Sequence, residues 1–389
     1  MRVFSSRLPP DRAPNRFSQA LARARTKGPV IDLTASNPTV AGFVYPPDLL
    51  EPLADPGGLV YRPSPLGLAE ARAAAAATFA RRGLNIEADR IVLTASTSEA
   101  YSILFKLLCD PGGSRVLTPV PSYPLFDHLT ALDGVEQARY ALAYHGAWTI
   151  DLPSLDAAWT PATRAVLCVT PNNPTGSALH PGDADELVTR CAARGTALIL
   201  DEVFCDYGLR GDLEEPASLR LPDALTFRLG GLSKTIGLPQ VKLGWLAVQG
   251  PDAQVAEALD RLEFISDTYL SVSTPVQLAL PRLLDRGGAV RAQILNRVRR
   301  NYAALRDIVT HPGASVLGAD GGWSAVLRVP ATRSEESLAL DLLDRDAVVV
   351  HPGFFFDFPH EAFLVVSLLP RPEEFARGAR LIEERLHAA

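Results

Sequence analysis

Lysine is the scarce charge in this sequence. Of the 38 basic residues among 389, four are lysine (Lys27, Lys106, Lys234 and Lys242) and the other 34 are arginine. Where arginine serves every generic positive charge, a retained lysine points to amine chemistry. An ammonium can lose its proton and form a Schiff base, whereas a guanidinium cannot. Cysteine is also scarce: Cys109, Cys168, Cys191 and Cys205 are scattered with no CxxC pair. That excludes a disulfide scaffold or a cysteine metal site and suits reduced thiols. The seven histidines form no HExxH or comparable cluster. No apolar run approaches the roughly 18 residues of a membrane span. An excess of positive charge is missing too, because the net charge is −6 and the pI about 5.7; a basic nucleic-acid footprint is excluded. The opening MRVFSSRLPPDRAP has no apolar core, so we expect no secretory signal and a cytoplasmic protein.

What is present has ordinary globular proportions, 47% hydrophobic and 21% charged. At roughly 150 residues per domain the length predicts two or three domains, with core enough to fold without staples. Short apolar runs at Arg90–Thr94, Arg115–Thr118, Arg164–Thr170, Ala197–Asp201, Leu225–Leu229 and Leu243–Gln249 read as strands. Helical stretches at Leu68–Arg82, Ser98–Leu108 and Gly182–Arg194 fall between them. That alternation predicts βαβ units and a mostly parallel sheet covered on both faces. From Asp252 to Val309 the pattern turns helical, with breaks near Ser273–Pro275 and Gly287–Gly288. A smaller α+β region follows, with strands at Trp323–Val329, Ala347–Val350 and Ala362–Leu368 and helices near Glu335–Leu343 and from Pro372.

Ligands of open α/β sheets sit at the carboxyl ends of the strands, and four of those ends are informative. After Thr94 come Ser96, Thr97 and Ser98, which open a helix and offer either a phosphate site or an ordinary cap. After Thr118 comes a stiff proline loop holding Tyr123, which either presents a ring face to a flat ligand or packs the next helix. After Thr170 runs Pro171-Asn172-Asn173-Pro174-Thr175-Gly176, a turn by composition that can also aim an amide into the cleft. The apolar strand Ala197–Leu200 delivers Asp201 and Glu202. A carboxylate there needs a partner, whether a protonated ring nitrogen, an arginine or a helix cap. Two of the four lysines, in the segment from Gly230 to Gly244 that contains Ser233-Lys234, complete the set.

The order of hydroxyl turn, Pro-x-Tyr, Asn173-Pro174-Thr175-Gly176, Asp201-Glu202 and Ser233-Lys234 resembles the class I and II aminotransferases, enzymes of fold type I that use pyridoxal 5′-phosphate (PLP). The resemblance runs from Ile31-Asp32-Leu33-Thr34-Ala35-Ser36-Asn37-Pro38 to the final helix. It implies an α/β fold with a large domain built on a mostly parallel seven-stranded sheet between helices, plus a smaller α+β domain. The implied division is an N-terminal segment 1–45 belonging to the small domain, a PLP-binding domain 46–275 and a small domain 276–389. By this resemblance Lys234 forms the Schiff base and carries protons, Asp201 keeps the pyridine nitrogen protonated, and Asn173 donates to the ring oxygen. Tyr123 stacks on the ring. Ser96, Thr97, Ser98, Ser233 and Lys242 serve the cofactor and its phosphate, and Tyr61 reaches that phosphate from a neighbouring subunit. The last match implies a homodimer with shared active sites. The implied reaction is ping-pong transfer of an amino group from an amino acid to a 2-oxo acid.

Four positions depart from the family pattern. Lys242 stands where an arginine is common, Gly231 where a phosphate-binding serine is frequent, and Phe204 where a tyrosine often donates to the ring oxygen. Val365, in Phe363-Leu364-Val365-Val366-Ser367, stands where many members carry the arginine that binds the substrate α-carboxylate. An unpaired carboxylate in a partly dry site costs about 3–5 kcal/mol. Either Arg371 or Arg62 serves instead, or the substrate is not an ordinary α-amino acid. Ser36, Asn37, Trp323 and Arg371 are the substrate-side candidates, and the aromatics from His351 to Phe358 either line that side or fill the small-domain core. Val365 also keeps open another PLP reaction on the same fold, such as that of a lyase, cyclase, racemase or oxidase. A non-catalytic ligand-sensing module is the reading from a different class.

Overall fold

The structure is a computed structural model that describes residues 4–9, 13–210 and 221–388. Its main sheet has eight strands. In spatial order they are Ile91–Thr94, Gly244–Gln249, Thr226–Gly231, Ala197–Asp201, Thr163–Val169, Arg115–Val120, Glu136–Tyr144 and Trp148–Ile150. The five from Thr226–Gly231 to Glu136–Tyr144 run parallel to one another, while Gly244–Gln249 is antiparallel to both its neighbours. The eighth strand corrects the expected seven: Trp148–Ile150 folds back as a hairpin on Glu136–Tyr144. Neither of those two strands shows in the sequence. EQARYALAY mixes charge and alanine with no β-branched residue, and its strand character comes from its place beside Arg115–Val120.

Alternation along the inner strands assigns the helix layers. Ile199, Phe227, Leu229 and Leu246 face one side and pack on the helices Thr97–Leu108 and Asp252–Tyr269. Leu198, Leu200 and Val166 face the other and pack on Pro181–Arg194. The helical region divides as its sequence breaks predict, into Asp252–Tyr269, Thr274–Arg286 and Gly288–Ile308.

A second, four-stranded sheet runs antiparallel in the order Ser315–Val316, Ser324–Arg328, Phe363–Ser367, His351–Pro352. Near the amino end, Ile31–Asp32 pairs with Val348–Val349. Residues 1–3 and 10–12 of the segment 1–45 lie outside the described residues. Among the described residues no helix is long and apolar enough to cross a membrane.

Candidate active site

Asp201 and Glu202 sit where the strand Ala197–Asp201 ends. Successive strand residues face opposite sides, so the two carboxylates have different surroundings. Glu202 meets two guanidiniums: Arg82 Nη2 donates to Oε2 at 2.9 Å and Arg228 Nη1 donates to Oε1. Burial pushes its carboxyl up, but Arg228 and Arg82 overcome that and hold it below the usual range. Asp201 faces the helix Thr97–Leu108. The Tyr101 hydroxyl donates to its Oδ2 at 2.6 Å and the Val203 N–H to its Oδ1 at 3.1 Å. Here burial wins over both bonds and raises the carboxyl, and the cation that acts against it is Lys234. Asp201 is thus a buried carboxylate, 8% exposed, still short of positive charge.

Lys234 lies in the short helix Leu232–Thr235 that follows the strand Thr226–Gly231. Burial lowers its pKa, and Asp201 opposes that shift. Its Nζ is 4.8 Å from the centre of the Trp323 ring and 5.5 Å from that of Phe204. The Tyr207 hydroxyl donates to its carbonyl. Trp323 packs edge-on against Phe204 and Tyr207, and its indole Nε1 is buried with no hydrogen-bond partner among the described residues. The indole N–H is therefore a buried donor left unpaired beside Lys234.

The hydroxyl turn is in part a cap. Ser96 Oγ accepts the Glu99 N–H at 3.2 Å, and Glu99 Oε2 reaches back to the Ala95 N–H at 2.6 Å, one residue before the cap, a variant of the capping box. Thr97 and Ser98 open the helix behind it, where first-turn N–H groups have no intrahelical acceptor and favour an anion. A Cβ on Gly244 would lie 3.1 Å from the Thr97 nitrogen, so glycine lets the strand Gly244–Gln249 start directly against this turn. Lys242, exposed and two residues earlier, adopts a left-handed backbone with φ 61°. Gly231 pairs with Gly244, and a Cβ on it would lie 3.2 Å from the Gly244 Cα. A serine there would crowd the facing strand.

The neighbouring asparagines have different tasks. Asn172 is locked: its Nδ2 donates to Pro121 O at 2.9 Å and Thr175 Oγ1 at 2.8 Å, and its Oδ1 accepts from Ser122. Asn173 is half-buried and, among the described residues, bonds through Oδ1 alone, accepting the Ser324 hydroxyl at 3.2 Å. Tyr123 stands 49% exposed in the loop after Arg115–Val120.

The remaining candidates make no hydrogen bond or ion pair to Lys234, Asp201 or Asn173 among the described residues. Tyr61 is 72% exposed and lines a groove of about 330 Å³ with Leu59, Arg62, Ser64 and Leu270. Ser36 and Asn37 are exposed, and Asn37 Oδ1 caps the turn Pro38–Val40 by accepting the Thr39 N–H at 3.0 Å. Arg371 stands at the position before Pro372–His387 without a capping side-chain bond, and its guanidinium lies over Gly42, where a Cβ would be 2.6 Å from Nε. No hydrogen bond or ion pair joins it to Lys234, Asp201 or Asn173. Val365 is buried among Trp148, Leu317, Val326, Phe356 and Phe358, so Phe356 and Phe358 are core.

The sequence reading misses Tyr101 and Ser324. Tyr101 has a signal in hindsight, since it stands four residues after Thr97 and shares its helix face. Ser324 has none, because it meets Asn173 across 151 residues.

The family model for aminotransferase class I and II matches residues 29–380. The glutamate-pyruvate aminotransferase AlaA of Escherichia coli K12 is 26% identical over 359 residues, covering 89% of this chain and 87% of that protein. The alanine aminotransferase of Mycobacterium tuberculosis is 26% identical over 371 residues, 92% and 86% of the two chains. Among solved structures, alanine aminotransferase from Pyrococcus furiosus superimposes with a TM-score of 0.85 at 22% identity over 96% of both chains. A mutant aspartate aminotransferase of Thermus thermophilus gives 0.84 at 22% identity over 99% of this chain and 100% of that one. The match of a single family model over nearly the whole length settles the assignment: this chain belongs to the class I and II aminotransferases, PLP-dependent enzymes that transfer amino groups between amino acids and 2-oxo acids.

Proposed function

We propose that Lys234, Asp201, Asn173 and the turn Ser96–Ser98 form the PLP site, and that Lys234 carries the cofactor as a Schiff base. The observation that carries this reading is Asp201, a carboxylate buried at the end of Ala197–Asp201, held by the Tyr101 hydroxyl and the Val203 N–H and joined to no cation by an ion pair among the described residues, although Lys234 lies near enough to act on it. A second, protonated nitrogen is the partner it lacks. The residues present fit the cofactor: a short-charged carboxylate, a buried amine, an amide bonded through its oxygen alone, and a helix start pressed by Gly244. When bound, PLP supplies an electron sink for the carbanion left at the substrate Cα.

Each side chain then has a stated task. Asp201 holds a proton on the ring nitrogen, itself held by Tyr101 and the Val203 N–H. Lys234 Nζ takes and returns the proton at Cα, a task suited to an amine whose burial lowers its pKa. Asn173 donates to the ring oxygen, with Phe204 adding no second donor. Tyr123 offers its ring face. Thr97, Ser98 and Lys242 meet the phosphate, Ser96 through its hydroxyl proton because its oxygen caps the helix, and Ser233 stands beside them. Trp323 and Phe204 exclude water around Nζ.

The exposed Tyr61, with Leu59 and Val60 beside it, supports a homodimer in which Tyr61 serves the partner's phosphate. The two sheets support the division into 1–45, 46–275 and 276–389. Scattered unpaired cysteines support a cytoplasmic enzyme. The names of the relatives make alanine with pyruvate, and glutamate with 2-oxoglutarate, the first pairs to test. With Val365 in a dry apolar cluster, the substrate carboxylate is met elsewhere. Arg371 and Arg62 remain the proposed alternatives, with Ser36, Asn37 and Trp323 on the same side.

The testing experiment mixes the holoenzyme with single amino acids and follows absorbance. A true donor converts bound PLP to the pyridoxamine form without an acceptor present, and a 2-oxo acid then restores it. An enzyme that converts with no donor, amines included, contradicts the reading.

At the phosphate, Lys242→Arg is expected to hold PLP within about tenfold of wild type, since it keeps the charge and adds a fork that matches phosphate. Lys242→Ala is expected to weaken it further. PLP dissociation constants of the two variants are the check, and equal weakening would mean that Lys242 does not face the phosphate.

A further inference from the structure

We infer that Ser324 is a positioning residue whose hydroxyl fixes the amide of Asn173 with Nδ2 toward the cofactor. This rests on the reading of Asn173 as a donor to the ring oxygen. A primary amide has two ends of similar shape and opposite polarity, and a half-turn about its last bond exchanges them. An asparagine that must donate therefore needs something to hold its oxygen. For Asn172 several partners do this; for Asn173 it is Ser324 Oγ, at 3.2 Å. A hydroxyl can donate to Oδ1, and with that end taken Nδ2 is left with no hydrogen-bond partner among the described residues.

The contact joins the two sheets. Asn173 follows the main-sheet strand Thr163–Val169, and Ser324 opens the strand Ser324–Arg328 of the smaller sheet, directly after Trp323. Its cross-strand neighbour Ser367 cannot take its place, because that hydroxyl donates to Ala35 O. The next pair on the same face, Val326 and Val365, is apolar and buried, so the sheet offers no further donor there. Phe204 adds to the consequence. Without a phenol at that position, the orientation of one amide governs how strongly the ring oxygen is stabilised in its deprotonated form.

The holoenzyme tests this through the pH titration of its bound-cofactor absorbance, independent of turnover. Asn173→Ala removes the donor and is expected to raise the transition by about one pH unit, the worth of one hydrogen bond to a charged group. Ser324→Ala is expected to raise it by about half a unit or more, and Ser324→Thr, which keeps the hydroxyl, to restore it. In an Asn173→Ala background, Ser324→Ala is expected to add nothing, since the residue it positions is gone. A purely structural role would shift the titration equally in both backgrounds and would overturn the inference. So would a wild-type titration for Ser324→Ala when Asn173→Ala does shift. An unchanged titration for Asn173→Ala itself would overturn the assignment of Asn173, and the two failures are thereby told apart.

Discussion

Asp201→Asn is expected to cut turnover by at least about a thousandfold, some 4 kcal/mol on the barrier, in a protein that still folds and binds PLP. Asparagine keeps the shape and an acceptor for Tyr101 but not the charge that holds the ring nitrogen protonated. Folding of the cofactor-free protein should move the other way. The Asp201 carboxyl is raised in the folded state, so that state binds the extra proton. The stability tied to it is present below the unfolded carboxylate pKa and is lost as pH rises through the folded value. Asp201→Asn removes that loss, and at neutral pH the apoprotein variant should melt no lower than wild type. Single-turnover kinetics and apoprotein melting curves check both halves. A fall in rate of less than about tenfold would contradict the role given to Asp201.

Lys234→Ala is expected to lose at least about ten-thousandfold in turnover, since positioned proton transfer alone contributes 10²–10⁴ and the point of attachment goes with it. Lys234→Arg separates charge from proton transfer. It keeps a cation facing Asp201, but a guanidinium does not deprotonate at working pH. It is therefore expected to fall as far as alanine. A Lys234→Arg enzyme within tenfold of wild type would mean that charge alone is what the site needs.

The features legible in the sequence are those encoded locally. The rarity of lysine singles out Lys234. The polar strand ends place Asp201, Asn173 and the hydroxyl turn after three strands, and the structure sets all three at the carboxyl ends of strands of one sheet, with two strands between Ile91–Thr94 and Ala197–Asp201. Alternation separates Asp201 from Glu202, although residue order alone does not say which carboxylate is neutralised. That depends on Arg82 and Arg228, 120 and 26 residues from Glu202. The hidden features arise from pairing at a distance. Tyr101 reaches Asp201 across 100 residues, and Ser324 reaches Asn173 from another sheet. The strand Glu136–Tyr144 owes its form to its neighbour Arg115–Val120 more than to its own residues, and Trp148–Ile150, whose residues favour a strand, is too short to stand out. Ser96 shows the converse, a residue read as a phosphate ligand that the structure also uses as a helix cap.

The central claim is that the amine of Lys234 is the cofactor's attachment point. Borohydride reduction of the holoenzyme followed by peptide mapping tests it most directly. The pyridoxyl group is expected on the peptide containing Ser233-Lys234, and on no other lysine. Finding it on Lys27, Lys106 or Lys242, or finding no labelled lysine in a protein that retains PLP, would contradict the account.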